Sequence, residues 1–437
     1  MAMIGCLERI PKMPCPVRMM ITLVAMAWLL LGVANAASSE KVLYTFQGGT
    51  DGANPSAGVI FDKAGNLYGP TAGGGTYGYG TVYKLSRESG GWKETILYSF
   101  SGAPDGEAPL LGSLVMDSQG NLYGTTALGG NRCGVTTCGV VYEVDTNGVE
   151  TVIHRFTGQD GQRPMSTLIF DSHGDLFGTT VGDLVKGGGV VFELMPGSNG
   201  TWEEKTLYMF TGWKDGGDGA GPMSGVIFDK AGNLYGTTSS GGNIVGTAGC
   251  GVVFELQPSG DSWNESVLYR FNCAADGGVP YAGVVLRGGN LYGTTDLGGN
   301  DDGRGDGVVF ELEPGSSGWS ESVLYTFNGR TDGHTADTGV IFDKTGNLYG
   351  ATVYGGWRYC DMGCGTVFKL TSGSGGWQET VLYRFNGPGV GDGDQPDEAT
   401  LVSDSKGHLY GTTPAGGILT SCAGASIGCG VVFEVTP

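Results

Sequence analysis

The sequence has few basic residues and few histidines. Lysine and arginine supply 24 of 437 residues against 44 aspartates and glutamates, which gives a formal net charge of −20. Nucleic acids and anionic membranes are bound through cations that release counterions, so this balance argues against both as partners. The four histidines are scattered along the chain and show no zinc-ligand spacing. Neutral or cationic partners remain open.

Complete enzyme motifs are also missing. Residues 424–428 match the nucleophile-elbow string, but no helical pattern follows and no histidine lies downstream. Residues 73–78 match a dinucleotide-binding glycine string without its strand and helix context. No EF-hand loop is complete. No local motif therefore identifies an activity or a cofactor.

A long apolar run occurs near the start of the chain, at residues 19–34. It follows Arg9, Lys12 and Arg18 and ends at Ala34-Asn35-Ala36, a small-x-small cleavage pattern. We expect residues 1–36 to be a secretory signal peptide and residues 37–437 to form one mature domain. The alternative is a retained membrane anchor of marginal length. With cleavage, we expect a secreted or periplasmic monomer without membrane insertion.

Cysteine usage agrees with export. Cys6 and Cys15 lie in the leader, which leaves eight cysteines in the mature chain, an even number. Three pairs are close in sequence: Cys133 with Cys138, Cys360 with Cys364, and Cys422 with Cys429. Cys250 and Cys273 must either pair with each other or stay free.

The most prominent feature is a repeat. The motif GNLYGTT, or a close variant of it, starts at seven glycines: Gly65, Gly120, Gly174, Gly232, Gly289, Gly346 and Gly407. Successive copies lie 54 to 61 residues apart. A period near 50 with no helical pattern is typical of a β-propeller with one four-stranded blade per repeat.

Each repeat contains four runs rich in β-branched and aromatic residues. In the fourth copy they are residues 225–229, 233–238, 251–256 and 265–271, with a tight turn after the first run and a loop at 257–264 after the third. The repeated tyrosine of the motif and the repeated phenylalanine of the fourth run are assigned to packing between blades. If the last two runs form a hairpin, Cys250 and Cys273 lie equally far from its middle, which predicts a fourth disulfide.

The phase of the repeat predicts how the ring closes. The mature chain begins with a fourth-type strand at residues 41–46 and ends with a third-type strand at residues 430–435. Pairing of residues 42–46 with residues 431–435 leaves no open edge. We therefore predict an all-β, seven-bladed propeller with four strands per blade.

These repeats resemble known families. The LYGTT segment, the Gly241-Gly242 pair and Trp263 after the next turn are similar to the layout of kelch blades. The tandem GNLYGTT…GG…GVVFEL unit more closely resembles the GloVer-type repeats of secreted bacterial proteins with variable C-terminal anchors. This chain ends at Pro437 without such an anchor, which favours release or a periplasmic location. The resemblance implies no activity.

Aspartates that precede glycine are the first candidate ligands. They recur in the loop that joins one blade to the next: Asp51, Asp105, Asp160, Asp215, Asp276, Asp332 and Asp392. In a propeller whose first strand is innermost, this loop leads to the central channel, so seven carboxylates could ring one mouth and bind a cation or a polyhydroxylated ligand. The alternative is that Asp-Gly only makes the turn.

Aromatic residues in the variable loops are the second candidates. The loops after the second strand differ most between repeats, at residues 76–79, 300–304, 357–359 and 418–428, and they share the face of the Asp-Gly loops. Five aromatic residues there could stack on sugars or grip a peptide: Tyr77, Tyr79, Tyr354, Trp357 and Tyr359. Three of the expected disulfides also lie in these loops. Disulfides and aromatic residues are also expected there if they only stabilise the loops.

These observations favour a secreted, non-enzymatic binding or scaffold propeller that recognises glycans, other extracellular or envelope polymers, or a protein through its Asp-Gly face. No cofactor is expected, with Ca²⁺ left open. One alternative is a propeller hydrolase or lyase with carboxylates, with or without Ca²⁺, at the channel mouth. Another is a purely structural surface protein. An enzyme should bring carboxylate, histidine or arginine side chains from three or more blades together over the channel.

Overall fold

A computed structural model describes residues 38–182, 188–212, 217–243, 248–299, 305–356, 360, 362–397, 400–418, 422 and 427–437. The predicted signal peptide lies outside the described residues. The predicted seven-bladed, all-β propeller is confirmed: seven antiparallel four-stranded sheets form one ring.

Each blade is a sheet whose four strands are ordered from the channel to the outer edge. From inner to outer strand, blades 1 to 3 are Ile60–Phe61, Leu67–Thr71, Thr81–Glu88 and Gly91–Ser99; Val115–Met116, Leu122–Thr126, Val140–Val144 and Glu150–Arg155; Ile169–Phe170, Leu176–Thr180, Val190–Pro196 and Trp202–Met209. Blades 4 to 6 are Ile227–Phe228, Leu234–Thr238, Val252–Ser259 and Ser262–Arg270; Val285–Arg287, Asn290–Thr295, Val308–Gly315 and Gly318–Thr326; Ile341–Phe342, Leu348–Thr352, Thr366–Gly373 and Gly376–Arg384.

Blade 7 closes the ring with strands from both ends of the chain. It contains Val402–Ser403, Leu409–Thr413, Val431–Thr436 and, outermost, Ser39–Thr45. Val42 pairs with Phe433 and Thr45 pairs with Val431. The predicted closure is therefore confirmed.

Short strands and 3₁₀ turns lie in the loops. Two-residue strands pair Gly52–Ala53 with Gly73–Gly74, Gly106–Glu107 with Leu128–Gly129, Arg132–Cys133 with Thr136–Thr137, and Gly393–Asp394 with Ala415–Gly416. Single 3₁₀ turns lie at Ser198–Gly200 and Pro388–Val390.

The outer hairpins are longer than predicted. In blade 4, Gln257 pairs with Asn264 and Ser259 pairs with Ser262, so a two-residue turn replaces the expected loop at residues 257–264. Trp263 lies in the outer strand opposite Pro258 and packs against the core between blades 3 and 4. The polar residues of this segment hid the strand because they alternate on an exposed sheet edge.

The glycine of the repeated motif allows packing within a blade, and its first threonine forms a hydrogen bond to the next blade. A Cβ at Gly236 would lie 2.6 Å from the Phe254 ring, so only glycine lets the buried ring pack there. The Thr237 hydroxyl donates to the Ala282 carbonyl of blade 5 at 2.8 Å. Equivalent bonds join other neighbouring blades, from Thr294 to Thr338 and from Thr412 to Ala57. Where the threonine is present it thus links a blade to the next, whereas blades 1 and 6 have Pro70 and Ala351 at this position.

Four disulfides are present: Cys133–Cys138, Cys250–Cys273, Cys360–Cys364 and Cys422–Cys429. The predicted pairing of Cys250 with Cys273 is confirmed. Within the described residues, no helix has the length and hydrophobicity needed to cross a membrane.

Candidate functional site

The Asp-Gly aspartates cap turns between neighbouring blades. Asp276 is typical: one carboxylate oxygen accepts hydrogen bonds from the Asn272 backbone N–H at 3.0 Å and from the Tyr269 hydroxyl at 3.0 Å. Asp51, Asp105, Asp332 and Asp392 make the same contacts, and at Asp160 the tyrosine is replaced by His154, at 3.1 Å. Binding of a ligand by these six aspartates stays a prediction, and their contacts are those of the turn alternative.

Blade 4 departs from the Asp-Gly pattern. Asp215 lies outside the described residues. Asp218 accepts the hydrogen bonds from Tyr208 and from the Thr211 N–H that its equivalents accept elsewhere. The turn role in this blade therefore belongs to a residue that the dipeptide pattern did not identify.

Each of these aspartates also lies near a glutamate on the outer strand of the following blade. We call the seven pairs the girdle; they are Asp51 and Glu94, Asp105 and Glu150, Asp160 and Glu204, Asp218 and Glu265, Asp276 and Glu321, Asp332 and Glu379, and Asp392 and Glu40. Burial and the neighbouring aspartate raise the pKa of Glu321 to about 7. The glutamates of the girdle therefore hold their protons more strongly than a free glutamate does.

The three candidate aromatic residues that the structure describes lie in two different blades. Tyr77 and Tyr79 of blade 1 are exposed, at 61% and 39% of their surface. Tyr354 of blade 6 is half-buried. Trp357 and Tyr359 lie outside the described residues. Ligand binding by these residues stays a prediction, and of the three described here Tyr354 belongs to the cluster of the next paragraphs.

The channel mouth is built from equivalent positions that differ between blades. After the Asp-Gly turn, each loop has a residue with positive φ, such as Thr335 at 59° and Gln395 at 58°. The Thr335 N–H donates to the Asp306 carbonyl at 3.0 Å, and the Gln395 N–H donates to the Cys364 carbonyl at 2.9 Å. A β-branched residue such as Thr335 is strained at positive φ, so the contacts around it must hold this bend. The bend directs the following residues towards the channel.

Two carboxyl groups from different blades meet at this mouth. Asp337, at the start of blade 6, is 5% exposed, and it hydrogen bonds to the half-buried Asp397 at the start of blade 7. Burial raises the pKa of Asp397, the hydrogen bond from Asp337 lowers it, and the charge of Asp296 raises it. Two carboxyl groups so close together disfavour ionisation of both at once, so the pair can share one proton.

A hydrogen-bonded chain from blade 5 lies beside this pair. Asp306 Oδ1 is 3.2 Å from His334 Nε2, and His334 Nδ1 is 2.6 Å from Thr335 Oγ1. Thr335 in turn hydrogen bonds to the carboxyl group of Asp296. Burial raises the pKa of Asp296, whereas Thr335 and His334 lower it. His334 thus links an outer carboxylate to the carboxyl group next to the Asp337–Asp397 pair.

Tyr354 connects the two groups. Its ring meets that of His334 edge to face, with centroids 5.9 Å apart. Burial raises the pKa of Tyr354, and the carboxylates of Asp397, Asp337, Asp394 and Asp296 raise it further. Asp394 is only 3% exposed, and burial with the charge of Asp392 raises its pKa to about 6. We call Asp296, His334, Asp337, Tyr354, Asp394 and Asp397 the mouth cluster.

Of the mouth cluster, the sequence analysis predicted only Tyr354 as a site residue. The missed signal is that the residue type changes between blades at two positions of the repeat. The residue after the loop proline, or after Ala336 in blade 6, is Ser56, Leu110, Met165, Met223, Tyr281, Asp337 and Asp397 in blades 1 to 7. The residue after the second strand is aspartate in blade 5, at Asp296, and alanine, valine, serine or proline elsewhere. Aligning these positions would have identified blades 5 to 7 as the blades that carry aspartate there.

Comparison with known proteins gives several solved propellers. A gluconolactonase from Xanthomonas campestris is 12% identical, with a TM-score of 0.40 over 73% of this chain and 82% of that one. A proposed 6-phosphogluconolactonase from Bacteroides uniformis is 15% identical, with a TM-score of 0.48 over 79% and 88%. An α-L-arabinanase from Penicillium chrysogenum is 12% identical, with a TM-score of 0.41 over 74% and 91%. At these identities the likeness shows the fold alone. No curated protein sequence matches the chain.

The prediction of a non-enzymatic binding or scaffold propeller is wrong. The matching solved structures include enzymes, namely a gluconolactonase, a luciferin-regenerating enzyme and an arabinanase. The mouth cluster also has the property expected of the enzyme alternative, since carboxyl groups and a histidine from three blades come together over the channel.

The repeat itself has a known counterpart. The sequence pattern of the Gloeobacter/Verrucomicrobia repeat matches residues 32–245 and again residues 131–361, together more than half of the chain. The predicted resemblance to GloVer-type repeats is confirmed, and the chain belongs to the Gloeobacter/Verrucomicrobia repeat family.

Proposed function

We propose that the protein is a hydrolase that cleaves an acyl bond, in an ester or a lactone, at the mouth cluster. The observation that carries this proposal is the close approach of the carboxyl groups of Asp337 and Asp397 from neighbouring blades. Two carboxyl groups with one shared proton supply a general base and a general acid in the same place. The mouth is also open to solvent on one side, since Asp397 and Tyr354 are only half-buried.

In this proposal the shared proton lies on Asp337 when the substrate binds, and this position defines the reaction. Ionised Asp397 removes a proton from a water molecule, whose oxygen attacks the carbonyl carbon of the substrate. Asp337 gives its proton to the carbonyl oxygen, which forms a neutral tetrahedral intermediate. When the bond to the leaving oxygen breaks, the alcohol takes the proton from Asp397, and the new carboxylic acid returns a proton to Asp337. Each residue then has its starting protonation state.

The closeness of the two carboxyl groups favours acyl over glycosidic bonds. Glycosidases keep their two carboxyl groups about 5–5.5 Å apart when they retain configuration and about 6.5–9.5 Å apart when they invert it. Asp337 and Asp397 are close enough for their carboxyl groups to interact directly, which is nearer than either glycosidase spacing. A carbonyl oxygen and a water molecule can instead approach the pair from the same side.

Tyr354 and His334 have supporting roles in this proposal. The raised pKa of Tyr354 keeps its phenol neutral at physiological pH, so it can donate a hydrogen bond to the oxygen on which charge develops. His334 acts as a positioning residue, because it holds Thr335 and through it the carboxyl group of Asp296. Asp296 in turn raises the pKa of Asp397, which makes Asp397 a stronger base.

We also propose that the protein works outside the cytoplasm, secreted or in the periplasm. The four disulfides support this location, because structural disulfides persist in oxidising compartments.

The test is an assay of the exported, oxidised protein with p-nitrophenyl acetate, δ-valerolactone and, as a glycosidic comparison, p-nitrophenyl arabinofuranoside. We expect hydrolysis of the ester and the lactone alone. Asp337→Asn and Asp397→Asn should each lower kcat/KM by about 10²- to 10⁴-fold. Asp261→Asn, at an exposed aspartate in the outer turn of blade 4, is the matched control and should change nothing.

The pH profile gives a second readout. Because Asp397 must be ionised and its pKa is raised, activity should fall on the acidic side with a midpoint above the ordinary aspartate value of 3.8. Activity that survives both substitutions, or cleavage of the glycoside alone, would refute the proposal.

A further inference from the structure

A cavity lies between blades 6 and 7 on the face opposite the mouth cluster. Residues 343–345 and 404–407, in the turns that join the first and second strands of these blades, form its polar side, and Ile341, Tyr349 and Leu409 contribute to its apolar side. Each first strand begins near the mouth and ends at this turn, which places the cavity on the other face. Its volume of about 510 Å³ falls within the range of about 300–1,000 Å³ that is typical of small-molecule sites.

The cavity lies where a bulky side chain of the repeat is missing. In the other six interfaces, one large apolar residue of the first strand packs with the motif aromatic residue of the preceding blade, as Phe342 does with Tyr292, with ring centroids 4.8 Å apart. These residues are Phe61, Met116, Phe170, Phe228, Leu286 and Phe342. In blade 7 the equivalent residue is Ser403, which is exposed and lines the cavity together with Tyr349.

A second bulky side chain is missing from the same interface. In five interfaces a tryptophan of the outer strand packs in the same core as the motif aromatic residue: Trp92, Trp202, Trp263, Trp319 and Trp377. Aligned on the girdle glutamates, the equivalent residue in blade 7 is Ser38, whose hydroxyl donates to the Leu382 carbonyl of blade 6. Thr436 and Pro437, on the adjacent third strand, line the cavity. Serine therefore replaces both rings between blades 6 and 7.

The charge of this interface also differs from that of its neighbour. The third-strand residue paired with the motif tyrosine is Glu311 in blade 5 but Lys369 in blade 6. The Lys369 ammonium lies 5.6 Å from the centroid of the Tyr349 ring. Lys344 and Lys406 line the cavity itself. Within the described part of the chain, none of these three lysines forms an ion pair, so their charges are available to an anion.

Two carboxylates also line the cavity, but the turns already supply them with hydrogen bonds. Asp343 Oδ1 accepts from the backbone N–H groups of Thr345 at 2.8 Å and Asn347 at 2.9 Å. Asp404 Oδ1 accepts from the backbone N–H of Lys406 at 2.8 Å. These donors partly offset the negative charge of both carboxylates, so an anion beside the lysines meets less repulsion.

We infer that this cavity binds a small aromatic carboxylate. The ring of the ligand takes the place of the missing phenylalanine and tryptophan side chains, against Tyr349 and Leu409, where ring-to-ring contacts add to the burial of apolar surface. Its carboxylate lies among the three lysines, which can donate charge-assisted hydrogen bonds. The inference is independent of the proposed hydrolase function, because it concerns another face and requires no reaction.

The first test is isothermal titration calorimetry of the exported, oxidised protein with 2-naphthoate and with its neutral analogue 2-naphthylmethanol. We expect 2-naphthoate to bind at one site and 2-naphthylmethanol to bind about tenfold more weakly. Lys344→Gln and Lys406→Gln should each weaken 2-naphthoate binding about threefold, the size of one exposed ion pair. Absence of 2-naphthoate binding to wild type would overturn the inference, and so would equal binding of the neutral analogue.

The second test restores the side chain that the other blades have. Ser403→Phe and Ser403→Leu, which introduce the residues of blades 6 and 5, should fill the cavity and abolish 2-naphthoate binding, whereas Ser403→Ala should bind it like wild type. Filling a cavity also stabilises a fold, so both filled variants should melt at or above the wild-type temperature. Binding that survives in either folded, filled variant would show that the ligand lies elsewhere. Because binding is measured without turnover, failure of lactone hydrolysis leaves this result unaffected.

Discussion

Removing one girdle glutamate should stabilise the protein at alkaline pH. Glu321 lies on the outer strand of blade 5, beside the carboxylate of Asp276, and its pKa is raised from 4.5 to about 7. One of its carboxyl oxygens is buried without a hydrogen-bond partner among the described residues. The folded protein therefore holds a proton on Glu321 that the unfolded chain releases at lower pH.

The sign of the pH dependence follows from this difference. Below pH 4.5 the glutamate is protonated in both states and costs nothing. As pH rises from about 4.5 to about 7, the unfolded chain ionises first and the folded state loses stability relative to it. This loss is complete above pH 7. Glu40, Glu94, Glu150, Glu265 and Glu379 have the same raised value, so six sites act in the same direction.

The magnitude is modest for each site. A rise in pKa from 4.5 to about 7 would correspond to about 3 kcal/mol at full strength. Glu321 is half-buried, and solvent screening reduces the expected effect to about 1 kcal/mol. Glu321→Gln should thus raise the free energy of unfolding by about 1 kcal/mol at pH 8 and leave it unchanged at pH 4.5.

The assay is urea unfolding of wild type and variant at pH 4.5, 6 and 8, followed by tryptophan fluorescence. Glu203→Gln is the control, because Glu203 is an exposed residue on an equivalent outer strand. A variant that is less stable than wild type at pH 8, or equally changed at all three values, would show that Glu321 is ionised and favourably paired in the folded state.

Three further predictions concern the repeat motif and the mouth. Gly236→Ala should destabilise the protein by about 1–3 kcal/mol, because the new methyl group would meet the Phe254 ring at 2.6 Å; a loss under about 0.5 kcal/mol in urea unfolding would contradict this packing. Thr237→Val should cost about 1 kcal/mol in the same measurement, since it removes the hydrogen bond to Ala282 in the next blade; no loss would show that the bond does not stabilise the ring. EGTA should leave lactone hydrolysis unchanged, because two carboxyl groups that share a proton are poor ligands for Ca²⁺, which binds ionised carboxylates. Loss of activity in EGTA that added Ca²⁺ restores would contradict the acid–base pair.

The ring could be predicted from the sequence because repetition multiplies weak signals. A single run such as residues 251–256 is ambiguous, but seven copies in the same order fix four strands per blade. The fourth-type strand at the start and the third-type strand at the end then required Val42 to pair near Phe433, as it does. The extent of the outer hairpins was missed because exposed strand residues such as Gln257 and Asn264 resemble a loop in composition.

The mouth cluster could not be found by following what repeats. Asp276 and its equivalents recur and make the same turn contacts, so recurrence alone does not single out a reactive group. Asp337 and Asp397 occur at a position that is methionine in blades 3 and 4, so no motif marks them. Their shared proton depends on contact between two blades, and no distance between blades can be read from the chain.

The constancy of the backbone explains how the residues at one mouth can differ from blade to blade. The residue that bends the chain towards the channel has a φ between 54° and 59° at Ala108, Arg163, Val279, Thr335 and Gln395, whatever its side chain. Because the bend is held by a backbone hydrogen bond to the preceding blade in each case, the residues that follow it can change without moving the frame. Methionine at one of these positions and aspartate at another then cost the fold little. The repeated motif fixes where the side chains at the mouth lie, and the unrepeated residues determine what they do.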